Sequence, residues 1–96
     1  MIEIRKTEIF AEWIDSLEDM IGRARIQVRL ERLAMGNPGD VKPVGEGVSE
    51  MRIDHGPGYR VYYIKLERTV IILLAGGDKK SKAKDIKTAL RLARNL

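Results

Sequence analysis

Six consecutive apolar residues, Val70-Ile71-Ile72-Leu73-Leu74-Ala75, limit what this chain can fold into more than any other stretch. A short, continuous, β-branched-rich run bounded by turn residues reads as a strand covered on both faces. Glu67-Arg68 turns the chain before it and Gly76-Gly77-Asp78 ends it. Such a strand needs partners along its edges and a layer against each face, and the rest of the chain must supply them. The run is also far below the ~20 apolar residues of a membrane span. Ninety-six residues provide one domain, residues 1–96, with one modest core.

The layers can be read in order. Met1 to Lys6 alternates Ile2 and Ile4 with Glu3 and Arg5, the period of a half-buried strand. Thr7 can cap a helix, with Glu8 suiting the dipole of its first turn. Phe10, Trp13, Ile14 and Leu17 then form one apolar stripe, which assigns both aromatics to the core. Asp19 can cap a second helix reaching about Met35, with Ile26, Leu30 and Leu33 inward, supported by Ile21 and Ala34. Gly36-Asn37-Pro38-Gly39-Asp40 ends it. The short link between the helices predicts an antiparallel hairpin. Residues 41–47, punctuated by proline and glycine, read as a loop.

Val48 to Asp54 alternates, with Met51 and Ile53 on one face and Glu50, Arg52 and Asp54 on the other. His55-Gly56-Pro57-Gly58 is a turn that places His55 at the surface. Tyr59 to Leu66 returns with Tyr59, Val61 and Tyr63 on one face and Arg60, Tyr62 and Ile64 on the other. Ser81 is a candidate cap for a last helix whose stripe is Ile86, Ala89, Leu90 and Ala93. The fold class is α+β, in the order β-α-α-β-β-β-α, with helices against a three- or four-stranded sheet.

Charge divides the chain. Residues 1–49 carry seven Lys/Arg against nine Asp/Glu, whereas residues 50–96 carry eleven against five. A basic half joined to a mildly acidic one suggests one polyanion-facing side, the alternative being a solvated surface. No cysteine and one histidine argue against a disulfide framework and a structural zinc site. The charged, alternating N-terminus does not resemble a signal peptide, so a cytoplasmic setting is expected and no cofactor is implied.

Within the basic half, Arg52 and Arg60 flank a tight turn on paired strands. Two guanidiniums side by side destabilise a sheet unless a negative group comes between them. Glu50 could be that group, and so could a phosphate held by bidentate forks. Lys79, Lys80, Lys82 and Lys84 crowd a helix start, where positive charge costs up to ~1 kcal/mol each. An anion there would meet free N–H groups, the dipole and the lysines together. Tyr62 is a candidate for base stacking. Arg29 belongs to an arginine ridge with Arg25 and Arg32 that could contact phosphate; a solvated or ion-paired helix face is the alternative.

The ordered segments SEMRI, GPGYRVYY and LLAGGDKKSKAKDI, with the terminal helix, resemble the RelE/ParE superfamily, and most of all its HigB-like "addiction module killer protein" branch. The resemblance runs from the Phe10/Trp13 helix to the C-terminus. It implies a small twisted antiparallel RelE-like sheet with an N-terminal helical hairpin and a C-terminal helix. It also implies a toxin of a type II toxin–antitoxin pair, with an antitoxin of helix-turn-helix type as partner. RelE- and HigB-type members cleave messenger RNA in the ribosomal A site without a metal, by attack of a 2′-OH on its adjacent phosphate. By motif position, Arg52 and Arg60 would hold that phosphate, and Lys79 and Lys84 would add contacts or proton transfer. A lysine base needs a depressed pKa; Glu50 is the other base candidate, or it orients Arg52. Lys80 and Lys82, with Tyr62 and Arg29, would contact nucleic acid. Family members often read G-G-D-K-S-T-Q where this chain has GGDKKSK, so Lys80 and Lys82 replace small and amide residues. The superfamily also holds ParE-like gyrase inhibitors without nuclease activity, and a non-toxic RNA-binding module is a third possibility.

Overall fold

A computed structural model describes residues 2–96; Met1, placed above in the first strand, lies outside them. Five strands form one mixed sheet in the order β1-β5-β4-β3-β2, with three helices against it. In chain order the elements are β1 (Glu3–Lys6), α1 (Glu8–Ser16), α2 (Met20–Ala34), β2 (Val41–Gly45), β3 (Val48–Ile53), β4 (Tyr59–Glu67), β5 (Val70–Gly77) and α3 (Lys82–Arg94). The apolar run lies in β5, whose residues Ile71 to Ala75 are all buried. Its backbone is paired on both edges, antiparallel to β4 and parallel to β1. The parallel β1 corrects the expectation of a purely antiparallel sheet. A strand buried on both faces cannot leave one row of N–H and C=O groups unpaired, and β1 occupies that row.

The expected loop over 41–47 is also corrected. Residues 41–45 form β2, an edge strand antiparallel to β3, and only Glu46-Gly47 turns. Pro43 is compatible with an edge position, where a missing N–H is tolerated. Glu46 and Gly47 both have positive φ, 53° and 83°, the requirement of a tight hairpin turn whose twist matches the strands. The Arg94 guanidinium holds Glu46 there through two hydrogen bonds of 2.8 and 2.6 Å.

Two apolar layers sandwich the sheet. On one face α1 and α2 contribute Phe10, Ile26, Leu30 and Leu33 against Met51, Ile53, Tyr59, Val61 and Tyr63. On the other, α3 packs Ala89, Ile86, Leu90 and Ala93 over Val48, Tyr62, Leu74 and Ala75. Both N-terminal caps form as expected. Thr7 accepts from the Phe10 N–H and donates to the Leu74 carbonyl, tying α1 to β5. Asp19 accepts from the Gly22 N–H; such caps contribute about 1 kcal/mol each. Ile21, assigned above to the inner stripe, faces outward instead.

The strand extends two residues past its expected end because Gly76 and Gly77 each admit a side chain against the backbone. A methyl on Gly76 would overlap the Trp13 ring on the α1 side, and one on Gly77 would overlap the Asp85 carboxylate on the α3 side. The missing side chains let the first turn of α3 close onto the sheet, which positions the lysine-rich segment.

Candidate nucleic-acid interface

Strand register builds the site. Arg52 lies directly opposite Arg60, and Glu50 opposite Tyr62. Met51, Ile53, Tyr59 and Val61 fill the α1–α2 side, so the alternation of β3 and β4 turns these four residues toward α3. The two guanidiniums share a concavity of about 500 Å³ with Lys79, Asp40, Asp54 and the Gly56-Pro57-Gly58 turn. Gly56 and Gly58 have φ of 55° and 79°, the left-handed region that favours glycine. The Lys79 N–H donates to the Pro57 carbonyl at 3.4 Å, closing the segment before α3 onto this turn.

Arg52 is held at both its backbone and its head. Its N–H donates to the Asp40 carbonyl at 3.0 Å, and its Nη2 pairs with Asp40 Oδ1 at 2.7 Å. Arg29 stands on α2, and its guanidinium donates to the carbonyls of Arg52, Pro38 and Asp40 at 2.6, 3.2 and 3.3 Å. It therefore stands behind Arg52 as a clasp between α2 and β3.

Glu50 is the centre of charge. Its side chain is fully buried, an unusual position for a carboxylate. Tyr62 donates to Oε2 at 3.0 Å, Arg60 Nε lies 4.0 Å from the same oxygen, and Lys82 Nζ lies 3.8 Å from Oε1. Burial first, and the bond to Glu50 second, push the Tyr62 hydroxyl well above its ordinary pKa. The Tyr62 ring is completely buried, so the stacking expected of it has no exposed ring face to use. Arg52 Nε, Arg60 Nε and Glu50 Oε1 are buried without hydrogen-bond partners among the described residues.

Lys42 is a residue that sequence reasoning missed. It lies opposite Glu50 in the β2–β3 register. The neighbouring Lys82 amine, by hydrogen bond and by like charge, holds the Lys42 amine below its ordinary pKa. The signal was the Val41-Lys42 alternation, obscured by Pro43 and Gly45.

The turn that leads into α3 already holds a carboxylate. Asp78 Oδ1 accepts from the N–H groups of Lys80 and Ser81 at 2.9 and 3.2 Å, so the turn supplies its own anion. Ser81 precedes the helix without a side-chain cap bond to the backbone; its hydroxyl donates to the buried Asp85. Lys79 and Lys82 join the cleft and the Glu50 cluster, whereas Lys80 and Lys84 are exposed and pair with no carboxylate among the described residues. His55, expected at the surface, is half-buried: its Nε2 lies 3.3 Å from Asp19 Oδ2, and its ring stacks on Tyr59.

Comparison with known proteins adds two findings. The family model described as "Phage derived protein Gp49-like (DUF891)" matches residues 12–96, which include every site residue above. The family is associated with toxins of toxin–antitoxin systems. An uncharacterized protein of Haemophilus influenzae is 45% identical over 95 residues, 99% of this chain and 96% of that protein. None of the described helices is long and apolar enough to cross a membrane.

Proposed function

This chain belongs to the Gp49-like, phage-derived family, and from that premise we propose that it is the toxin of a type II pair, acting as a ribosome-dependent mRNA endoribonuclease. The observation that carries the reading is the opposed Arg52 and Arg60 pair, which lines an open cleft with Lys79 and whose Nε–H groups have no acceptor among the described residues. Arginine forks match phosphate oxygens, and a phosphate in the cleft would relieve the juxtaposed guanidiniums.

In the reaction proposed, a ribose 2′-oxygen attacks the adjacent phosphorus and the P–O5′ bond breaks. The 2′-hydroxyl proton passes to a base, and the departing O5′ takes up a proton. Arg52 and Arg60 hold the phosphate and stabilise its added negative charge. Lys79 lies in the same cleft and is placed for contact or for proton delivery; Lys84, Lys80 and Lys82 extend the basic surface to the flanking chain. Arg29 acts through Arg52, as a positioning residue. Full burial and bonding to Tyr62 support an orienting role for Glu50 toward Arg60 and Lys82 rather than direct contact with the 2′-hydroxyl. The neutralising partner in this reading is an antitoxin.

Induction of the chain in cells, followed by pulse labelling and mapping of mRNA ends, tests the reading. Translation should stop before DNA synthesis, with codon-phased cuts, and Arg60→Ala should relieve the arrest while the protein stays folded. Unaffected translation, with DNA synthesis stalling first, would replace the nuclease with a gyrase-type inhibitor. No arrest of any kind would leave an RNA-binding module.

A further inference from the structure

The outer face of α2 carries an apolar stripe that the fold does not bury. Met20, Ile21 and Val28 are 81%, 64% and 44% exposed, and with Ala24 they line a groove of about 590 Å³. Their spacing of i, i+1, i+4 and i+8 makes a second helix face beside the inner one of Ile26, Leu30 and Leu33. Clustered exposed apolar side chains mark interaction surfaces, whereas scattered ones do not. Arg25 and Arg32 rim the groove, and neither pairs with a carboxylate among the described residues.

We propose that this face docks an acidic amphipathic helix of the partner protein. Apolar positions at helical spacing fit a helix laid in a groove, and the unpaired arginines select carboxylates along its flanks. From Met20 to Arg32 the face runs ~18 Å, about three turns of a partner helix. A second copy of this chain fits less well, because an isologous contact would bring together two faces with the same excess of arginine, Arg25, Arg29 and Arg32 against Asp54. RNA would leave the apolar lining unused. The groove and the catalytic cleft share one wall, Ile53 and Asp54 of the β3 end. A helix seated on α2 therefore ends beside Arg52. The identity of the partner as an antitoxin rests on the toxin reading; the docking face rests on α2 alone.

The test uses the protein encoded by the reading frame next to this gene as the probe, with affinity measured by calorimetry. Ile21→Glu, with Val28→Glu as a second exposed variant, should weaken the complex at least tenfold without altering the circular dichroism spectrum. Arg25→Glu combined with Arg32→Glu should weaken it similarly and flatten its salt dependence. Each variant should still arrest growth when induced alone, and the probe should no longer rescue. Affinity unchanged by all variants, or no complex at all, overturns the proposal. Sensitivity to the arginines with indifference to Ile21 and Val28 overturns it in favour of a polyanion surface. A dimer of the wild-type chain abolished by Ile21→Glu assigns the face to a second copy. A face-dependent complex formed by a chain that never arrests growth retains the docking face and removes the toxin reading.

Discussion

Replacing Glu50 by glutamine tests whether the buried charge cluster holds the fold together or is carried at the expense of stability. Glutamine keeps the volume, and its carbonyl can still accept from the Tyr62 hydroxyl, so the substitution removes mainly charge. Arg60 Nε lies 4.0 Å from the carboxylate and Lys82 Nζ 3.8 Å. At an effective dielectric of ~20, a pair at that separation gains about 4 kcal/mol. The Arg60 side chain is 13% exposed and retains most of that value; Lys82 is 35% exposed, and water reduces its share to ~1 kcal/mol. Burying the carboxylate costs several kcal/mol in return. The difference leaves Glu50→Gln destabilised by about 2–3 kcal/mol, and removing the anion also leaves Arg60, Lys82 and Lys42 to repel one another. For a domain of this size the loss corresponds to a Tm lowered by ~10–20 °C. Urea unfolding at neutral pH, followed by circular dichroism, reads the change as a lower midpoint with an unaltered slope. An unchanged or higher midpoint would refute the reasoning: desolvation would then outweigh pairing, and Glu50 would be retained for its effect on the cations alone.

Two further predictions follow from packing and titration. Gly76→Ala places a methyl inside the Trp13 ring, so the indole must leave the strand; a loss of about 2–3 kcal/mol is expected, with tryptophan emission shifted to the red, and an unchanged spectrum and midpoint would contradict it. Asp19 is held below its ordinary pKa, first by the Gly22 N–H and then by the Tyr59 hydroxyl. A depressed carboxylate contributes stability above its unfolded value of ~4 and loses it as pH falls through the lower folded value. Denaturation midpoints between pH 6 and 2.5 should therefore fall for the wild type and fall less steeply for Asp19→Asn, whose amide oxygen still caps α2.

Much of the site's geometry was legible because β-strands have a period of two. Once Val48–Asp54 and Tyr59–Leu66 are read as paired strands, Glu50, Arg52, Arg60 and Tyr62 must share a face, and the register shows that they do. Whether that face is wet is a tertiary matter: the packing of α3 buries Tyr62 and Glu50 and leaves Arg52 and Arg60 at a cleft. The β2 strand was hidden by Pro43 and by a Glu46-Gly47 turn that lacks the usual asparagine or aspartate. Glu46 holds its left-handed backbone with help from Arg94, a residue 48 positions away. Arg29 carries no local signal of its carbonyl clasp, because Pro38, Asp40 and Arg52 converge on it only after folding. Ile21 was misassigned because α2 has two apolar faces, and periodicity cannot say which one the sheet covers.

The charges of the site answer a problem that the lysine-rich helix start raises. Several cations beside a helix N-terminus oppose its dipole. In the turn before the helix, Asp78 binds the Lys80 and Ser81 N–H groups with its own carboxylate, which sets one negative charge beside the lysines. Asp85, seated against Gly77, fixes the helix over the sheet without neutralising Lys79 or Lys82 at the cleft. Glu50 then serves Arg60 and Lys82 from below, fully buried, where it shapes the cations without reaching the open side. Asp40 alone binds Arg52 from the solvent side, and its side chain is 56% exposed. An exposed pair of this kind is worth ~0–1 kcal/mol, so an entering phosphate can displace Asp40 at little cost. The carboxylate that organises Arg60 and Lys82 is thus buried, and of the two that line the cleft, Asp40 and Asp54, the one paired with Arg52 is held only by an exposed contact.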